Sequence, residues 1–98
     1  MADITVSTSE TESGWTAHVT VAERGSSSSH AVTIDEGYYE QLTDGEFSPE
    51  QLVETSFEFL LEREPKESIL SSFDLPTISR YFPEYERDIG RLLEKKYG

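Results

Sequence analysis

The sequence predicts an α+β fold: a three-stranded antiparallel β-meander followed by three to four helices packed on one face of the sheet. Three observations predict it. Apolar and polar residues alternate through the first third of the chain, the period of half-buried strands. After residue 35 the apolar spacing becomes that of amphipathic helices. Ser48-Pro49 and Pro65 punctuate the second part as a helix start and stop. The 98 residues make one domain, 1–98, with the meander in 1–35 and the helical part in 36–98.

Ile4, Val6 and Thr8 share one face of a first strand. Trp15, Ala17, Val19 and Val21 repeat the pattern, and His30, Val32 and Ile34 give a third strand. Ser9 to Gly14 reads as the first hairpin loop and Glu23 to Ser29 as the second. Short connections favour antiparallel pairing. The other sheet face is expected to be polar: Thr5, Ser7, Thr16, His18, Thr20 and Thr33.

Asp35 caps a short helix over Glu36 to Leu42, ended by Thr43-Asp44-Gly45. Ser48 caps a longer one, with Pro49 at its first position and Gln51 completing a capping box. This helix is expected to reach about Glu64, because Pro65 cannot continue it. Its apolar face is Leu52, Val53, Ser56, Phe57, Leu60 and Leu61, with Phe59 at the margin. Residues 65–82 read as short helical pieces. Pro83 opens a last helix whose face is Tyr85, Ile89, Leu92, Leu93 and Lys96.

The formal charge is −12, with twenty acids against three lysines and five arginines. Such a charge keeps a protein dissolved and strains the compact state by self-repulsion. Adaptation to high salt is the preferred explanation, ahead of an ordinary solvated surface or a binding surface for a basic partner. The imbalance lies in residues 1–62, which hold thirteen acids and one base; residues 63–98 hold seven of each. With no cysteine, disulfides, thiolate metal sites and a cysteine nucleophile are excluded. The start Met1-Ala2-Asp3-Ile4 has neither a basic run nor an apolar one, and no stretch approaches the roughly 20 apolar residues of a membrane helix. A cytoplasmic location without membrane contact is the expectation.

Two surfaces stand out as candidate interaction sites. Glu50, Glu54, Glu58 and Glu62 recur every four residues as a ridge opposite the apolar face, able to dock a basic partner. Arg80, Arg87, Arg91 and Lys95 concentrate near the end beside tyrosines, a pairing that can hold nucleic acid. Glu84, Asp88 and Glu94 interleave with these bases, which is more typical of a solvated helix face. His18 and His30 fall on opposite faces of neighbouring strands, one read as a surface and the other as a strand-edge histidine, so they make no joint metal site. The tyrosines are expected to pack with their hydroxyls at the rim. Gly25 to Ser29 lacks the lysine and second glycine of a phosphate-binding loop.

The segment SFEFLLEREPKESILSSFDLPTISRYFPEYE, Ser56 to Glu86, resembles a group of small uncharacterised prokaryotic proteins sharing an EREPKESIL…FDL…RYFPEY pattern. That resemblance implies no activity. Residues 30–64, HAVTIDEGYYEQL…SPEQLVETSFEFLLER, resemble ribbon-helix-helix DNA-binding proteins in their order of elements. This resemblance implies a dimer whose paired strands enter the major groove. The outward residues Ser29, Ala31 and Thr33 are not the usual base readers, and the segment is acidic, which opposes phosphate binding.

These readings point to a non-catalytic protein-interaction or regulatory domain with no cofactor, acting on another macromolecule, foremost a protein. The alternatives are a nucleic-acid-binding regulator or antitoxin, which the charge disfavours, and a small enzyme of unknown type.

Overall fold

The computed structural model describes residues 2–98. Strands β1 (Asp3–Glu10), β2 (Gly14–Glu23) and β3 (Ser26–Asp35) form the expected antiparallel meander. Helices α1 (Glu36–Thr43) and α2 (Pro49–Leu61) follow, then a 3-10 turn at Lys66–Ser68, strand β4 (Ser72–Asp74), α3 (Thr77–Tyr81) and α4 (Tyr85–Tyr97).

The sheet corrects the expectation of three antiparallel strands. It has four, in the order β1-β2-β3-β4, and β4 runs parallel to β3 with Ala31 opposite Ser72 and Thr33 opposite Asp74. A parallel neighbour requires a long crossover, and α1 and α2 supply it. β4 is only three residues long, with Phe73 its single inward side chain, so no alternation betrays it.

The second hairpin is also tighter than expected. Arg24 and Gly25 both have positive φ (54° and 80°) and form a two-residue turn, the geometry that matches strand twist. Ser26 to Ser29 therefore extend β3 instead of forming a loop. They pair in unbroken register with Glu23 to Thr20.

The helix starts form as their residues dictate. The Asp35 carboxylate accepts from the Gly37 and Tyr38 amides, and Ser48 and Gln51 make the reciprocal capping box. α2 ends at Leu61, short of Glu64. Its apolar face lies against the sheet, with Leu52, Val53 and Phe57 fully buried beside Ala17, Val21 and Val32. Burying each such Leu- or Phe-sized side chain contributes about 1.5–3 kcal/mol before entropy. Phe59 is not marginal: it is buried, with edge-on contacts to Tyr85 and Phe82 at 5.3 and 6.0 Å between centroids. Ile4, Val6, Trp15, Leu61 and Phe82 are only half-buried at the borders of this core.

Two polar side chains sit deeper than the sequence suggests. Tyr85 is fully buried, and its hydroxyl meets Ser56 Oγ at 2.7 Å instead of reaching a rim. Burial pushes the Tyr85 pKa up. His30 is no edge residue: it is 5% exposed, on the helix-covered face, and its ring lies 5.3 Å from that of Phe57. His18 is exposed on the opposite face.

No helix among the described residues is long and apolar enough to cross a membrane.

Candidate functional site

The glutamate ridge does not stand free. α4 crosses α2, and its last turn lies on the ridge: Lys96 donates to Glu58 and lies 3.7 Å from Glu54, while the Tyr97 hydroxyl donates to Glu54. Partial burial works to lower the Lys96 pKa, but the Glu58 hydrogen bond and the Glu58 and Glu54 charges outweigh it, so the net shift is upward. Tyr97 is also raised, by burial and by its bond to Glu54. At the other end of the ridge Glu50 accepts from the Thr8 hydroxyl of β1, which holds its carboxyl below the usual range. Glu62 remains exposed, 3.6 Å from Arg63.

The basic residues are also dispersed. Arg80 is exposed on α3. Arg87 and Arg91 both lean on Asp88, at 3.1 and 3.2 Å, so a carboxylate sits between them. Lys95 borders a hollow of about 310 Å³ between α2 and α4, shared with Thr55, Glu58, Phe59, Glu62, Leu92 and Lys96. Thr55 Oγ1 is buried there without a hydrogen-bond partner among the described residues. The hollow has charges of both signs at its rim. Acids thus accompany Arg87, Arg91 and Lys95.

Strand β3 is occupied on both sides where the ribbon-helix-helix arrangement needs it free. β2 covers one edge, and β4 covers the other from Ala31 to Thr33. The outer edge is tied further by the Ala31 amide to the Ser71 carbonyl and the Leu75 amide to the Thr33 carbonyl, at 2.8 and 2.9 Å.

A cavity walled mainly by large apolar side chains lies elsewhere, in the segment Leu60 to Phe82. It measures about 190 Å³. Leu60, Ile69, Phe73, Ile78 and Phe82 line it, with Leu70 and Tyr81 beside them and Glu64, Ser68 and Thr77 as its polar members. Leu70 is 47% and Tyr81 67% exposed, two of the few large apolar side chains that face water. A single exposed apolar side chain is ordinary, but two bordering one groove form a patch.

The groove is held from three sides. Pro65 stops the chain continuing as helix, and the 3-10 turn delivers Ile69 inward and Leu70 outward. β4 fixes Phe73 against Phe57. His30 ties the lip: the Leu70 carbonyl lies 2.7 Å from Nδ1, and since a carbonyl only accepts, Nδ1 carries the hydrogen. Nε2 lies 2.8 Å from Ser28 Oγ. Outside the groove, Arg63 fixes Phe59, which packs on the lining residue Phe82, with Nε 3.1 Å from Glu84, Nη1 3.0 Å from the Phe59 carbonyl, and its guanidinium 3.6 Å over the Phe59 ring. Glu84 is lowered in pKa by its own backbone amide and by Arg63.

Sequence reasoning did not single out this groove, because the segment that forms it changes from the end of α2 to a 3-10 turn, a three-residue strand and a five-residue helix, none long enough to show a period. The signal present in the sequence was the EREPKESIL…RYFPEY string, which spans nearly all of it. No family model, curated protein or solved structure matches the chain.

Proposed function

We propose that this chain is a non-catalytic interaction domain that takes one apolar side chain of a protein partner into the groove beside α3. The supporting observation is the coincidence of an apolar cavity with Leu70 and Tyr81 exposed at it. Size discriminates between occupants. At about 190 Å³ the groove falls below the roughly 300–1,000 Å³ of small-molecule sites. It is close to the roughly 150 Å³ cavity that accepts benzene, so one aromatic or branched side chain fits. Anchors of this kind carry most of the energy of protein interfaces.

Replacing Tyr81 by a photo-crosslinking phenylalanine analogue in the native host tests the reading. A discrete protein adduct is expected from position 81 and none from position 18 on the open sheet face. No adduct at 81, or the same adducts from both positions, would overturn it. The nucleic-acid alternative has weaker support, because Asp88 lies between Arg87 and Arg91 and the strand of the ribbon-helix-helix pattern is already paired.

One observation favours a hydrolytic reading instead. Ser28 Oγ, the His30 imidazole and the Leu70 carbonyl form a hydroxyl–imidazole–acceptor chain, the order of an activated nucleophile. Against it, the imidazole is 5% exposed and packed on Phe57, and the orienting group is a neutral carbonyl. Labelling of Ser28 by a fluorophosphonate, abolished in Ser28→Ala, would establish hydrolysis; an unlabelled protein would remove it.

A further inference from the structure

β1 is the outer strand of the sheet, and its free edge is regular along its whole length. The register runs without a bulge from Asp3 opposite Ala22 to Glu10 opposite Trp15. The Thr11 amide donates to the Gly14 carbonyl, which sets the phase of this hairpin. By alternation Ser9, Ser7, Thr5 and Asp3 face β2, and the N–H and C=O groups of Ile4, Val6 and Thr8 point away from the sheet.

Natural edge strands are usually blunted by shortness, proline, lysine or a bulge. The opposite edge, β4, is blunted by being three residues long. β1 has eight residues and none of these devices, and Ile4 to Ser9 carry no charge. On the helix side Ile4, Val6 and Thr8 are only half-buried, so apolar surface remains beside the free backbone groups.

Charge decides what fits there. Asp3 and Glu10 end the strand, and Glu50 is held against Thr8 as a carboxylate. Arg24, in the turn near Asp3, is the single base in residues 1–62. A second copy would bring another −12 to this edge, whereas a basic strand is attracted.

We infer that β1 is a docking strand that accepts an extended segment of another protein by strand addition, with β-branched residues beside Ile4 and Val6 and basic residues beside Thr8 and Glu10. The lysines or arginines of that segment would lie toward Glu10 and Glu50. This surface is separate from the groove beside α3, and Tyr81→Ser leaves it unchanged.

Amide hydrogen exchange on the full chain tests the inference, with a capped peptide as long as β1 that carries valines to lie beside Ile4 and Val6, lysines to lie beside Thr8 and Glu10, and threonines between them. At ten times its dissociation constant the peptide should slow exchange at Ile4, Val6 and Thr8 about tenfold. Val6→Pro removes one outward N–H without breaking a bond to β2, and should abolish the protection while the β2 and β3 amides stay protected. Glu50→Gln should weaken binding with the edge intact. Equal protection by a peptide with glutamate for lysine would overturn the inference, as would no protection at all. Concentration-dependent protection without peptide would also overturn it, by making a second copy the occupant.

Discussion

Ser56 Oγ and the Tyr85 hydroxyl meet at 2.7 Å where α2 crosses α4, in a place that water does not reach from either side. The Ser56 hydroxyl also donates to the Leu52 carbonyl at 2.7 Å. The serine thus has two partners and the tyrosine one.

That asymmetry predicts unequal costs. Ser56→Ala leaves a buried phenol hydroxyl unsatisfied and should destabilise by about 1–3 kcal/mol. Tyr85→Phe leaves Ser56 its bond to Leu52 and should cost about 0.5–1.5 kcal/mol. The double variant should cost less than the sum, since the two residues form one unit. Urea unfolding of the three variants measures this, and strict additivity would show that the contact contributes nothing.

The clasp of α4 on α2 predicts an alkaline limit. The folded pKa values of Lys96 and Tyr97 lie above their ordinary 10.5 and 10.0. Groups raised on folding contribute stability that is complete below the unfolded values and is lost as pH rises through the folded ones. Melting temperature should therefore fall above about pH 10. Lys96→Met with Tyr97→Phe should lower stability at neutral pH by about 1 kcal/mol, as expected for exposed pairs, and flatten this alkaline limb. Thermal melts between neutral and strongly alkaline pH check it.

On the acid side the sign reverses. The Glu50 pKa is lowered, mainly by the Thr8 hydroxyl. Its contribution is present above the ordinary carboxylate range and is lost as pH falls through the lowered value. Thr8→Val should shift the acid unfolding midpoint upward, measured by circular dichroism.

The acidic imbalance predicts stabilisation by salt. Thirteen acids against one base in residues 1–62 repel one another. Between about 0.1 M and 1 M salt the screening length falls from roughly 10 to 3 Å. Melting temperature should rise with sodium chloride across this range, and a flat response would exclude self-repulsion as a burden on the fold.

Two glycines should respond oppositely to alanine. A Cβ on Gly14 would sit 1.9 Å from the Ile34 carbonyl oxygen and 2.9 Å from the Glu36 amide. Both obstacles are backbone, so Gly14→Ala should destabilise by about 1–3 kcal/mol. At Gly90, inside α4, a Cβ meets nothing within 4 Å, and alanine should stabilise by roughly 0.5–1 kcal/mol. Paired denaturant titrations settle both.

Much of the fold was legible where a residue's neighbours in sequence decide its state. The alternation from Ile4 to Ile34 marked the strands, and Ser48-Pro49-Glu50-Gln51 marked a helix start, because backbone geometry imposes both periods. What was not legible depended on which elements meet. Ser26 to Ser29 read as a loop because serine is common in turns, whereas the Arg24-Gly25 conformation makes them strand. Phe73 gave one inward residue, too few to show a period. The ridge of Glu50 to Glu62 looked open because nothing in α2 reveals that Lys96, more than thirty residues later, lands on it. The groove was invisible for a different reason: Leu60 lies at the end of α2, and Phe73 and Tyr81 sit on short elements of the same segment, too brief to show a shared face.

The parallel join of β4 to β3 governs the order in which the molecule can assemble. Thr33 and Asp74 are 41 residues apart and are linked by a hydrogen bond. The two hairpins of β1, β2 and β3 close over short spans, which is fast. The last ladder must wait for the intervening helices to collapse onto them, because closing a long span costs entropy before it returns any contact. On a ribosome the meander would emerge first, with both its margins bare and the His30 ring still without the Leu70 carbonyl. The carboxylates at Asp3, Glu10, Glu12 and Glu23 would repel neighbouring nascent chains during that interval. The same charge that would strain the finished domain would protect the unfinished one.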